Sequence, residues 1–192
     1  MAILGGAKIS GKIDVIENLM DKVDSLLIGG GMAFTFFKAK RLEIGNSLLE
    51  EDKVNEASNI LMLAEKRGID FVLPVDVVVT PDIDADPPQT ETVMPVGIGA
   101  SMIGVDIGPR TVERFKNIIQ SAGTVVWNGP MGIFEKEPFA TGTFEIAKIL
   151  AQVSDSGCIS IVGGGDSASA VTTIWARCSW GSGREKLALF SS

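Results

Sequence analysis

Lys8 and Lys12 stand four residues apart in the segment GGAKISGK, between a short apolar run and an amphipathic stretch. Cations at the start of a helix face the positive end of its macrodipole, an unfavourable placement. An anion held by both ammonium groups and the free backbone N–H groups offsets that cost. Two solvated lysines, each destabilising by roughly a few tenths of a kcal/mol, are the plainer alternative; the pairing favours the anion. The segment also nearly matches a P-loop, with Gly6 followed after four residues by Gly11-Lys12. Ile13 stands where a hydroxyl should reach Mg²⁺, so the motif is rejected.

A second candidate lies in ISIVGGGDSASAV, where Asp166 follows three glycines. Asp166 suits an N-cap. It equally suits a carboxylate that holds Mg²⁺ on a nucleotide, since magnesium takes one or two carboxylates plus phosphate oxygens. The two roles are compatible. Ser167 either donates to a phosphate or faces water. In WNGPMGIFE, Asn128-Gly129-Pro130 is first a turn, and Trp127 reads as core. Glu135 is a solvated loop acid or, opposite a ribose, a bidentate acceptor.

These residues share a setting, the junction between an apolar run and a glycine-rich turn. Ala2-Ile3-Leu4 meets Gly5-Gly6 and a helix expected over about 10–23, with Ile13, Ile16, Met20 and Val23 on one face. Ser25 to Ile28 meets Gly29-Gly30-Gly31 and a short helix carrying Phe34 and Phe37. A long helix is expected over 51–67, ended by Gly68. Residues 70–80 read as extended with a break at Pro74, and 81–101 as an excursion with little regular structure. Runs at 103–107 and 124–128 each lead to a helix, and CISIVGGGD is the last clear strand. Strands apolar on both faces, alternating with helices, imply an α/β fold whose parallel sheet carries helices on both faces, in three layers. Ligands of such sheets bind beyond the carboxyl ends of the strands. Five ends, at Gly5, Gly29, Gly108, Gly129 and Gly163, are expected on one rim.

Composition narrows the function. The chain has 192 residues, 45% hydrophobic and 21% charged, enough for one domain with a sizeable core. A net charge of −7 without a basic run argues against nucleic-acid binding. The absence of histidine excludes a histidine base, a Ser–His–Asp triad and any His-ligated metal within this chain. Cys158 and Cys178 make no disulfide framework, which suits a reducing cytoplasm. No apolar run reaches the roughly 18–20 residues needed to span a bilayer, and MAILGGAKIS lacks the pattern of a signal peptide.

Taken in order, the blocks ILGGAKISGKIDVIENLMDKVDSLLIGGGMAFTF, SLLEEDK, LPVDVVV, GVDIGP, VVWNGPMGIFE, FATGT and IVGGGDSASAV resemble the C-terminal, nucleotide-binding domain of the phosphoglycerate kinase family. The resemblance implies a Rossmann-like fold and reversible phosphoryl transfer between 1,3-bisphosphoglycerate and ADP, giving 3-phosphoglycerate and ATP. It implies ATP/ADP with Mg²⁺ as cofactor, and a monomeric cytoplasmic enzyme of glycolysis that binds neither nucleic acid nor membrane. Position by position, Lys8 resembles the lysine that stabilises the phosphoryl group in flight, and Lys12 the one on the nucleotide phosphates. Gly29, Gly30, Gly104, Val105 and Ile133 match the adenine pocket. Asn128, Pro130 and Gly132 match the loop flanking the nucleotide, and Glu135 the ribose acceptor. Gly164, Gly165, Asp166 and Ser167 match the phosphate turn, Asp166 also serving the Mg²⁺.

The chain departs from the family pattern in three ways. The amino-terminal domain, whose basic patch holds the phosphoglycerate, has no counterpart. A STGGGAS-like turn expected after the last helix is missing. The tail TTIWARCSWGSGREKLALFSS, with Trp175, Cys178 and Trp180, shows no helical or strand period. The expected division is a nucleotide-binding domain over 1–171 and a divergent tail over 172–192, read as foreign sequence from a frame shift or altered splice. Such a chain is expected to bind Mg-ADP weakly and not to turn over. A non-catalytic nucleotide-binding module and a fragment without function are the alternatives.

Overall fold

The computed structural model describes residues 1–165, 169, 172 and 187–190. Strands β1 (Ala2–Leu4), β2 (Ser25–Ile28), β3 (Asp70–Val72), β7 (Thr124–Asn128), β8 (Ile159–Gly163) and β9 (Leu187–Phe190) form a six-stranded sheet, all neighbours parallel. Its order is β3-β2-β1-β7-β8-β9. The chain builds one half outward from β1, then returns to build the other outward from β7. The order reverses between β1 and β7, where doubly wound sheets bind ligands.

Successive side chains of a strand point to opposite faces, and this alternation divides the core in two. Ala2, Leu4, Leu26 and Ile28 pack on one face with Ile16 of α1 (Ile13–Leu19), Phe36 and Phe37 of α2 (Met32–Ala39), and Ile60 and Ala64 of α3 (Val54–Arg67). Ile3, Leu27, Val72 and Trp127 pack on the other with Phe115 and Ile119 of α4 (Pro109–Ile119) and Ile146 and Leu150 of α5 (Thr141–Asp155). The layers are therefore helices, sheet, helices. Fully burying a side chain such as Ile3 or Phe115 contributes roughly 1.5–3 kcal/mol, so the alternation specifies strand register strongly. Trp127 is fully buried and its indole N–H donates to the Gly129 carbonyl at 2.8 Å. It belongs to the core, as its setting in the sequence indicated.

Helix boundaries follow local chemistry. The first helix is shorter than the expected 10–23, because a turn closes from the Lys12 amide to the Ile9 carbonyl and α1 begins at Ile13. Gly68 ends α3 in the left-handed conformation, φ 68°, which costs glycine little. A 3₁₀ turn over Glu51–Lys53 precedes α3.

Three expectations need correction. Residues 70–80 are extended with a break at Pro74, as read, but the expectation of one parallel sheet does not hold for the second run. β3 joins the parallel sheet, whereas β4 (Val77–Thr80) pairs antiparallel with β5 (Glu91–Val93) and β6 (Ile103–Ile107) in a separate three-stranded sheet. The excursion over 81–101 thus contains β5 and a 3₁₀ turn at Pro95–Gly97. Finally, β9 lies within the tail where no strand period was read. A four-residue apolar run is too short for periodicity to classify.

Candidate functional site

Register aligns the strand ends. Ile28, Leu4, Asn128 and Gly163 are neighbours across β2, β1, β7 and β8. One step beyond that row the chain carries Gly29, Gly5, Gly129 and Gly164. The first three pack against other backbone or against Met131. A Cβ on Gly5 would lie 2.1 Å from the Pro130 carbonyl oxygen, and one on Gly129 would lie 2.2 Å from that of Gly5. Backbone bonds then join the turns: Gly5 N–H to Asn128 O, Gly6 N–H to Pro130 O, Gly30 N–H to Met131 O and Met32 N–H to Gly6 O. Only glycine permits this approach, which builds a rigid floor at the switch point. Gly108 does not share this rim. It follows β6 of the antiparallel sheet and abuts the Asp76 carboxylate.

Above the floor lies a cavity of about 370 Å³, within the usual range for small-molecule sites. It brings together Gly30, Gly104, Val105, Pro130, Gly132, Ile133 and Glu135, all named from the sequence. Gly29 stands behind it, packed on Met131, which does line it. Glu135 is exposed at the wall. Sequence reasoning missed several lining residues, among them Phe34, Leu48 and Ile83. Phe34 carried only a helix-core signal, and the other two sit in loops. Gly104 lies against the Phe34 ring, where a Cβ would come within 1.9 Å of Cζ.

Polar groups gather at the end of the same floor. Lys12, the residue before α1, donates from Nζ to Asn128 Oδ1. Asn128 Oδ1 also lies 3.1 Å from the position a Gly164 Cβ would take. One ammonium, one amide and the glycine turn after β8 therefore meet beside the cavity. Lys8 is exposed on the turn before Lys12. That turn is held by Glu50, whose carboxylate accepts from the Ser10 amide at 3.0 Å and the Ser10 hydroxyl at 2.6 Å. Burial pushes the Glu50 carboxyl up, but the Ser10 bonds, the Ile9 amide and the Lys8 charge together hold it below its ordinary value. Gly165 is exposed; Asp166 and Ser167 lie outside the described residues.

Two buried acids went unread in the sequence. Asp76 accepts from the Arg110 and Thr111 amides at 3.0 and 2.7 Å and from the Thr111 hydroxyl at 2.6 Å, capping α4. Asp106 accepts from the Gly142 amide at 2.6 Å at the start of α5 and from the Ile107 amide at 2.9 Å. Burial pushes Asp106 up to about 7 against those bonds.

The family model for phosphoglycerate kinase matches residues 1–179. The chain belongs to the phosphoglycerate kinase family. Phosphoglycerate kinase of Chlorobium phaeobacteroides (strain BS1) is 57% identical over 171 residues, covering 89% of this chain and 43% of that protein. That of Chlorobaculum tepidum is 55% identical over 172 residues, with the same coverages. The structure of phosphoglycerate kinase from Coxiella burnetii superposes with a TM-score of 0.89 at 35% identity, covering 100% of this chain and 46% of its own. The chain thus spans less than half the length of the relatives it matches.

Among the described residues, no group of three or more His, Cys, Asp or Glu forms a metal cage. An ion carried in on phosphate oxygens asks for less, one or two carboxylates. No helix among them is long and apolar enough to cross a membrane.

Proposed function

We propose that this chain is the nucleotide-binding half of a phosphoglycerate kinase, which transfers a phosphoryl group between 1,3-bisphosphoglycerate and ADP to give 3-phosphoglycerate and ATP. One observation carries the reading: an apolar cavity and the Lys12–Asn128 pair share one glycine floor at the sheet's switch point. A nucleotide is the ligand with those two ends, a flat base for the cavity and an anionic chain for the cation.

Phosphoryl transfer asks the protein for positioning and charge stabilisation more than for a base, which suits a chain without histidine. Lys12 would hold the nucleotide phosphates, oriented by Asn128, and Lys8 would stabilise the group in transit. Glu135 would accept from the ribose hydroxyls. Gly164, Gly165 and Ser167 would supply donors to phosphate, and Asp166 a carboxylate for magnesium. Bound magnesium would neutralise phosphate charge. The phosphoglycerate would be held by the part of the relatives' length that this chain does not span. A monomeric cytoplasmic setting, in glycolysis, follows from the same reading.

Calorimetric titration of Mg-ADP into the chain tests it. Saturable one-to-one binding, weakened about tenfold or more by Lys12→Ala, upholds the reading; a charge-assisted phosphate contact is worth about that much. No saturable binding, or binding indifferent to Lys12→Ala, refutes it.

A further inference from the structure

The excursion after β4 lines the cavity through Ile83, and the loop after β7 lines it through Ile133. Among the described residues, the Lys136 side chain joins these loops. Lys136 Nζ donates to the Ile83 carbonyl at 2.8 Å and to Asp84 Oδ1 at 2.6 Å. Lys136 lies directly after Glu135, another lining residue, and its amide donates to the Ile133 carbonyl at 3.1 Å. One residue therefore fixes the loop it belongs to and the wall it faces. The excursion has local order of its own, since the Thr80 hydroxyl donates to the Asp82 carbonyl and the Asp84 amide to Asp82 Oδ1, both at 2.9 Å. Among its described polar contacts, those of Lys136 connect it across the cavity.

We propose that Lys136 is a positioning residue that straps Ile83 over the cavity and thereby holds the base of a bound purine nucleotide. The inference rests on the nucleotide reading above. The strap acts at the base end alone. The Lys12–Asn128 end is built on α1, β7 and the glycine floor, none of which Lys136 touches through its side-chain bonds. Loss of the strap therefore separates the two ends of the ligand. It loosens the grip on the base and leaves the grip on phosphate intact.

The test titrates ADP and inorganic pyrophosphate separately into wild-type protein and into the Lys136→Met, Asp84→Asn and Lys136→Arg variants. The expected result is ADP affinity lowered about three- to fivefold in Lys136→Met, the range open to a partly exposed ion pair. Asp84→Asn should lower it less, since the bond to the Ile83 carbonyl survives, and Lys136→Arg should restore it. Pyrophosphate affinity should be unchanged throughout. Equal weakening of both ligands marks a general structural defect and overturns the inference, as does ADP binding that no variant alters. Wild-type protein that binds no ADP overturns the nucleotide reading and the strap together, whereas wild-type binding insensitive to the variants removes the strap alone.

Discussion

Lys12 Nζ donates to Asn128 Oδ1 across 116 residues of sequence, joining the turn after β1 to the last residue of β7. These strands flank the point where the sheet order reverses. The pair places one cation at the crevice and aims it with an amide oxygen held by strand register. Asn128 is half-buried, its backbone carbonyl accepting from the Gly5 amide at 2.9 Å, so the aim is set by the floor itself.

Asn128→Ala removes the acceptor that aims Lys12 while leaving that carbonyl in place. Calorimetry should show ADP affinity reduced by about tenfold, with the melting temperature little changed, because a bond to a charged donor contributes about 1.5–3 kcal/mol. Affinity equal to wild type would separate Asn128 from the phosphate end.

Gly104→Ala places a Cβ 1.9 Å from the Phe34 ring, itself only 3% exposed. Overpacking a filled site costs about 1–3 kcal/mol, and here the displaced ring also lines the cavity. Urea denaturation should register that loss, and ADP binding should fall with it. Gly123→Ala is the control: no atom lies within 4 Å of its Cβ position, and neither measurement should change appreciably.

Asp76→Ala strips the Arg110 and Thr111 amides of their acceptor and leaves the Thr111 hydroxyl only the Asp76 backbone carbonyl. A cost of about 2–3 kcal/mol is expected from unsatisfied buried groups, read as a lower urea midpoint at constant slope. A midpoint equal to wild type would show that α4 needs no cap from the residue before β4.

Asp106 gives stability a pH dependence of known sign. Its carboxyl titrates near 7 in the folded protein against an ordinary 3.8. Between those values the folded chain keeps a proton that the unfolded chain has released. The contribution is fully present below the lower value and is lost as pH rises through the upper one. The slope approaches ~1.4 kcal/mol per pH unit within the window. Relative to Asp106→Asn, which cannot titrate, wild type should lose unfolding free energy between about pH 5 and about pH 7. A difference independent of pH would place Asp106 in an ordinary carboxylate environment.

Local pattern carried the parallel half of the fold. The helix expected over 51–67, the helices that follow the runs at 103–107 and 124–128, and the glycines after β1, β2 and β7 all report short-range chemistry, and the structure has them. Pairing direction is not local. Val77 and Val79 are buried like Leu27 and Ile28, so periodicity could not show that β4, after Pro74, pairs antiparallel with β6 in a separate sheet. The caps from Asp76 and Asp106 span 35 and 36 residues, and Lys136 reaches Asp84 across 52. No spacing rule marks such partners. The seven lining residues named from the sequence were reached through the family resemblance of the blocks that hold them, while Phe34, Leu48 and Ile83 look like any apolar residue until the fold is known.

On the proposed reading, one glycine floor carries both ends of a nucleotide site. Two-dimensional amide NMR of the chain during Mg-ADP titration tests it most directly. Saturable shifts are expected to concentrate at Gly30, Gly104 and Ile133 around the cavity and at Lys12, Asn128 and Gly164 at the phosphate end, with one common affinity. Saturable shifts at only one end, or shifts elsewhere with both ends unmoved, would contradict it.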